Sequence, residues 1–275
     1  MKKSFLLFAV LLISLSASAQ FYISGSGGYG FKAGEKVLGQ KTVLSATGEL
    51  VSRTDLEGSY GNGFNSQLRL GYLLNEKFGF ELGIGYLHGA DQDVSKTYVG
   101  DTELVNIIAR ARAFGASFSA LYNFTDNFYA RAGFLTKIGG KTETIGTVNY
   151  APAVTVDFTT DFHGKFPAGF IGAVGYKYPV GDNLNLFAEI EYLGINVTRD
   201  TSELSQFSAT YAGQEVSRDQ LDSAIRETPA LNAQFGKLLP LLEDKHTWTE
   251  ADNTNLEAPY SSVGFNIGIT YTFGK

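Results

Sequence analysis

Residues 262–273 read Ser-Val-Gly-Phe-Asn-Ile-Gly-Ile-Thr-Tyr-Thr-Phe, an alternation of period two carried through without a slip. Val263, Phe265, Ile267, Ile269, Tyr271 and Phe273 share one face of an extended chain, and Ser262, Gly264, Asn266, Gly268, Thr270 and Thr272 share the other. That periodicity is a strand's and not a helix's. Large apolar and aromatic groups on one face with small polar groups on the other suit a wall between hydrocarbon and a narrow polar interior. The stretch is read as the closing strand of a β-barrel.

Seven other stretches alternate in the same sense: 21–31, 63–74, 78–88, 112–122, 128–138, 165–178 and 184–196. The sequence therefore predicts an all-β fold, an eight-stranded antiparallel transmembrane β-barrel. The connections sort by length: 75–77, 123–127 and 179–183 are short, while 32–62, 89–111, 139–164 and 197–261 are long. Short turns belong to the periplasmic side of an outer-membrane barrel and long loops to the extracellular side. Tyr72, Phe78, Tyr122, Phe128, Tyr176 and Tyr271 fall near the short-turn ends, and Phe31, Phe64, Tyr86, Phe114, Phe134 and Tyr192 near the others. These two girdles lie about 9 to 11 residues apart, the reach of a tilted strand across a bilayer.

Residues 1–19 carry Lys2 and Lys3, an apolar run and the triplet Ala17-Ser18-Ala19, the pattern of a secretory signal peptide to be left out of the fold, with 20–275 as the barrel. No later stretch approaches the roughly 20 apolar residues of a spanning helix, so insertion is expected through strands. Cysteine is absent, which excludes a disulfide framework and a thiolate metal site. With 28 acidic residues against 22 basic ones, the chain is a poor partner for nucleic acid. The 32 glycines, 15 tyrosines and 21 phenylalanines suit aromatic interfaces and crowded strands better than a soluble core.

With Phe21-Tyr22-Ile23-Ser24-Gly25-Ser26-Gly27-Gly28-Tyr29-Gly30, the Ala19-Gln20 junction and the closing Ile269-Thr270-Tyr271-Thr272-Phe273, the chain resembles the small outer-membrane barrels of the OmpA and OmpX type, especially the glycine- and aromatic-rich barrels of the Bacteroidetes. The resemblance implies outer-membrane lipid as surroundings. It also implies that the closing strand, with Ile267, Ile269, Tyr271 and Phe273, is a signal for the barrel-assembly machinery. Gly274 and Lys275 follow Phe273, a departure from the usual aromatic last residue.

Inward positions carry Arg69, Glu81, Arg131, Lys137, Lys165, Lys177, Glu189 and Glu191. An eight-stranded barrel is only wide enough for its own side chains, and buried charges must pair. A salt-bridged plug is therefore expected, with a narrow ion path as the alternative. His88 and His163 lie where a rim hydrolase would place its base, but rim loops carry such residues in any case; no catalytic group, metal site or cofactor is assigned and the reading is of a non-enzyme.

In the 198–260 loop, Ser217 and Gln220 read as a capping box. Leu231, Phe235, Leu238, Leu239 and Leu242 follow at helical spacing until Pro240 interferes. That stripe either is buried, the helical segments packing on each other or capping the barrel mouth, or meets an extracellular or envelope protein or the lipid surface. The function expected is structural or surface-interacting through the long loops. The alternatives are a narrow channel or a binder of a small hydrophobic molecule and, further off, a lipid-modifying hydrolase.

Overall fold

The computed structural model describes residues 20–34, 36–150, 154–229, 232, 236–252 and 257–273. The signal peptide assigned to 1–19 lies outside the described residues. In chain order the strands are β1 (Gln20–Lys32), β2 (Val37–Leu44), β3 (Leu50–Glu57), β4 (Gly63–Leu73), β5 (Phe78–Gly89), β6 (Gln92–Val99), β7 (Thr102–Asn123) and β8 (Phe128–Tyr150). They continue as β9 (Val154–Gly164), β10 (Gly169–Pro179), β11 (Leu184–Gly194), β12 (Asn196–Tyr211), β13 (Gln214–Glu215), β14 (His246–Thr247), β15 (Glu257–Pro259) and β16 (Ser262–Thr272).

The strands thus number sixteen among the described residues, not the expected eight. Eight of them pair in a ring: β16 with β1, then β4, β5, β7, β8, β10 and β11, which returns to β16. Each ring strand overlaps one of the stretches that alternate in sequence. The wall is uneven, because β7 and β8 have 22 and 23 residues while β4, β10, β11 and β16 have 11. Three tight turns join ring strands at the low end, closed by Leu74 N to Phe78 O, Phe124 N to Phe128 O and Val180 N to Leu184 O.

At the other end the expected long loops are largely strand. The upper halves of β7 and β8 continue into one tall sheet in the order β13-β12-β9-β8-β7-β6-β2-β3. Above the bilayer, segments such as Thr142-Glu143-Thr144-Ile145 still favour extended backbone. They have lost the contrast of greasy against small that marks a membrane strand, so sequence periodicity does not separate them from loop. Within the long connections, β2 pairs with β3 and the upper part of β8 pairs with β9, each pair antiparallel.

The outward side chains of the ring form a continuous apolar belt. Phe134 is 75% exposed, Phe64 67%, Leu82 63% and Ile267 61%, values that suit lipid as neighbour and not water. Both girdles consist of cross-strand aromatic pairs. Phe21–Tyr72, Phe78–Tyr122 and Phe128–Tyr176 stand 4.8, 4.9 and 4.9 Å apart at the low end, and Tyr29–Phe64 and Tyr86–Phe114 stand 4.8 and 4.9 Å apart at the high end. Ile269, Tyr271 and Phe273 lie on the same outer surface as Ile267.

The α-helix α1 (Arg218–Glu227) starts on the expected capping box: Ser217 Oγ accepts from Gln220 N at 3.3 Å, and Gln220 Oε1 accepts from Ser217 N at 2.8 Å. Its apolar side, Leu221 and Ile225, is buried against Ile107, Val148, Val156 and Phe158 of the tall sheet. Leu239 and Leu242 are buried in the same cluster, and Leu238 packs against it.

Candidate functional site

Four layers fill the ring from its short-turn end upward. The lowest is apolar: Tyr22, Leu121, Tyr129 and Phe187 pack together with Leu73. Their rings fit because the residues paired with three of them across the strands are glycines. Tyr22 lies over Gly71, Tyr129 over Gly175 and Phe187 over Gly268.

Above it is the charged layer anticipated at Arg69, Glu81, Arg131, Glu189 and Glu191, all five at least 95% buried. Arg69 Nη1 donates to Glu189 Oε1 at 2.8 Å, and Arg131 Nη2 donates to the same oxygen at 3.0 Å and to Glu191. Glu81 accepts from the Tyr22 hydroxyl at 2.9 Å and faces both guanidinium groups at 3.9 Å. Tyr129 donates to Glu189 at 2.8 Å and Gln67 donates to Glu191 at 2.8 Å. Two arginines thus face three glutamates. Lys177 stands to one side of this group, its Nζ donating to Asn123 Oδ1 at 3.0 Å and lying 4.7 Å from the Tyr129 ring centroid. Taking charges out of water is costly unless each is met by an opposite charge and by hydrogen bonds. These residues supply both from β1, β4, β5, β8 and β11, so the layer locks the strands to one another across the lumen.

The third layer is a cavity of about 110 Å³. Leu87, Leu135, Ile171, Leu193 and Ile195 line it, with Gln67 of the charged layer at its floor. Tyr60, Val197, Ala258 and Tyr260 pack above it as the fourth layer, the two tyrosine rings 5.7 Å apart. Tyr260 exchanges a 2.6 Å hydrogen bond with Thr142 Oγ1, and burial pushes its phenol up to about 12. The tyrosines close the mouth, for which the leucines of the 198–260 loop were one candidate cap.

The wall beside this cavity has a seam. β8 pairs with β10 up to Leu135–Gly169 and with β9 from Thr142–Phe162 onward. Between these pairs, 136–141 and 163–168 form no ladder with each other; Thr136 Oγ1 donates across the gap to Pro167 O at 2.6 Å. Pro167 has no N–H to offer, which also explains why β10 begins at Gly169 and not at the expected 165. A lipid-facing groove of about 830 Å³ opens at the seam, lined by Tyr86, Arg112, Phe114, Lys137, Ile138 and Phe166. Cavity and groove have Tyr86, Phe114 and Lys137 in common.

Of the other residues singled out from sequence, Leu231 and Phe235 lie outside the described residues. Leu238, Leu239 and Leu242 are engaged by the tall sheet, so they present no open stripe. His163 Nε2 faces Glu203 Oε1 at 3.5 Å, and His88 is exposed opposite Arg112. Sequence reasoning missed His246, whose two ring nitrogens meet Glu243 at 2.7 Å and Asp252 at 3.1 Å. Partial burial opposes its charged form, but these two hydrogen bonds outweigh burial and raise its pKa.

No family model matches the chain, and no curated protein matches it in sequence. Among solved structures, it is similar to a major outer membrane protein from Thermus thermophilus, at 14% identity over 93% of this chain and 99% of that one, with a TM-score of 0.44. It is also similar to the outer membrane protein OprG from Pseudomonas aeruginosa, at 13% identity over 94% and 97% of the two chains, with a TM-score of 0.41. Ail of Yersinia pestis matches at 10% identity over 93% and 99%, with a TM-score of 0.35.

Proposed function

We propose that this outer-membrane β-barrel binds a small hydrophobic molecule in the upper half of its lumen and exchanges it sideways with the outer leaflet. The carrying observation is the apolar cavity stopped below by the charged layer, roofed by Tyr60 and Tyr260, and adjoining an unpaired seam in the wall. A molecule that reaches such a cavity through the seam never crosses the charged layer. This arrangement favours lateral exchange over a narrow ion channel, which would need a polar path past Arg131 and Glu189.

Saturable binding of radiolabelled decanol to the barrel in lipid nanodiscs, beyond its partition into empty nanodiscs, tests this. Leu193→Trp fills the cavity and should weaken that binding by about tenfold or more. Identical, non-saturable uptake by both proteins would count against the reading.

A second reading, a surface-interaction role, is favoured by β3. It is the last strand of the tall sheet, with Leu50 and Val51 exposed, and an unpaired edge can accept a partner's strand. Extended peptides should then be captured by the barrel, and Val51→Pro on the β3 edge should abolish that capture; capture unchanged by Val51→Pro would point elsewhere. Reading of the closing strand by the barrel-assembly machinery belongs to the same proposal and rests on its outward Ile267, Ile269, Tyr271 and Phe273.

A further inference from the structure

The charges around the seam are distributed unevenly. At the groove's upper end Lys141 meets Asp161 at 2.8 Å and Glu143 at 3.1 Å, and above it Arg110 meets Glu143 at 2.9 Å. At the groove itself, Arg112 Nη1 donates to the carbonyls of Gly89 and Ala111 at 2.7 and 2.8 Å, and Lys137 Nζ donates to Gly140 O at 3.1 Å. Neither has a carboxylate within ion-pairing distance among the described residues. Both line the same groove, in a chain that holds 28 acidic residues against 22 basic ones.

Two cations left with carbonyl partners beside a lipid-facing opening form an anion site. Arg112 keeps guanidinium donors beyond the one engaged with the carbonyls, and Lys137 offers a compact ammonium. Lys137 also lines the cavity, so an anion held by it stands at the cavity's entrance. The walls beyond that point, Leu87, Leu135, Ile171 and Leu193, are apolar.

We propose that the occupant is an anionic amphiphile, a single acyl chain ending in a carboxylate, with its tail in the cavity and its headgroup between Lys137 and Arg112. This rests on reading the cavity as a binding site, and it adds the chemistry of the ligand. A cavity of about 110 Å³ takes part of one chain and not the paired or multiple chains of a membrane lipid. A neutral alcohol of equal length would fill the same space and leave both cations unanswered.

The test compares decanoate with decanol at pH 8 on the full barrel in nanodiscs of zwitterionic lipid, with binding to empty nanodiscs subtracted. The unaltered protein should hold decanoate about tenfold more tightly than decanol. Lys137→Gln should erase that preference, bringing the decanoate affinity down to that of decanol for the same variant, Lys137→Arg should keep most of it, and Arg112→Gln should reduce it. Equal affinity for the two ligands in the unaltered protein would overturn the proposal, as would a preference that survives both Lys137→Gln and Arg112→Gln. Inorganic phosphate should weaken decanoate binding and leave decanol bound; phosphate that binds without weakening decanoate would set the anion site apart from the cavity and overturn the proposal as well. Absence of binding by either ligand would instead sink the cavity reading. Retained heat-modifiable migration of each variant shows that the barrel has formed.

Discussion

The ring of Tyr22 occupies the space above Gly71, its direct partner across the β1–β4 ladder, where any side chain at 71 would stand. Tyr129 with Gly175 and Phe187 with Gly268 repeat the relationship, so each inward aromatic of the lowest layer has a bare partner. Gly71→Val should displace the Tyr22 ring and break its hydrogen bond to Glu81. The expected destabilisation is about 1–3 kcal/mol, as for other overpacked interiors. Denaturant titration read by the mobility of unheated protein on a gel measures it, and an unchanged midpoint would argue against the pairing.

Glu189 is shared by Arg69 and Arg131. Glu189→Ala strands both cations in a closed lumen and should lower stability by about 3–5 kcal/mol. Removing the charges together, as in Arg69→Met with Arg131→Met and Glu189→Leu, should recover part of the loss. If the single and triple variants unfold at the same denaturant concentration, the charged layer is not acting as a unit.

His246 gives the 198–260 loop a pH response that its one tryptophan can report. The imidazole sits edge-on to Trp248 with centroids 4.8 Å apart, and its pKa is raised above 6.5 by Glu243 and Asp252 once partial burial is overcome. A raised folded-state value means that the charged contact is fully present below pH 6.5 and is lost as pH climbs through the folded pKa. Protonated imidazole quenches indole emission, so Trp248 fluorescence should brighten with rising pH, with a midpoint above 6.5. His246→Ala should flatten the curve; a midpoint at or below 6.5 would contradict the geometry.

Removal of 217–244 takes away α1 and the buried Leu239 and Leu242, but no strand of the ring. The shortened protein should still insert and run as a heat-modifiable barrel. Its tall sheet would expose Val148, Val156 and Phe158, so binding of a dye that fluoresces on apolar surfaces should rise several-fold. Failure to insert would mean that the helix supports the ring and not only the sheet above it.

The ring was legible because its strands carry opposed faces: Phe64, Leu68, Leu70 and Tyr72 against Asn65, Gln67, Arg69 and Gly71. The charged layer followed from inward parity alone. The inward aromatics did not, since room for Tyr129 or Phe187 depends on a glycine in another strand, and single-strand periodicity says nothing of register. Leu87, Leu135 and Leu193 did leave a trace, as apolar residues at inward parity near the upper end. The seam left only Pro167. The tall sheet was hidden because both of its faces meet protein or water, which removes the contrast that lipid imposes. The leucines of the last long loop show that periodicity leaves a stripe's neighbour open: burial or a partner would suit the same spacing, and Leu239 and Leu242 lie in a cluster with Leu221, Ile225 and Phe158.

The ring is shut by its two most distant strands, with Tyr22 opposite Thr272 and Lys32 opposite Ser262. Synthesis delivers the amino-terminal margin at the outset and its mate only with the final dozen residues. Throughout that interval both margins offer unsatisfied amides to any passing strand, and every greasy belt position faces water. Closure across such sequence separation is slow by its nature. Until β16 meets β1 both margins stay open, so the completeness of the cylinder hangs on its last strand.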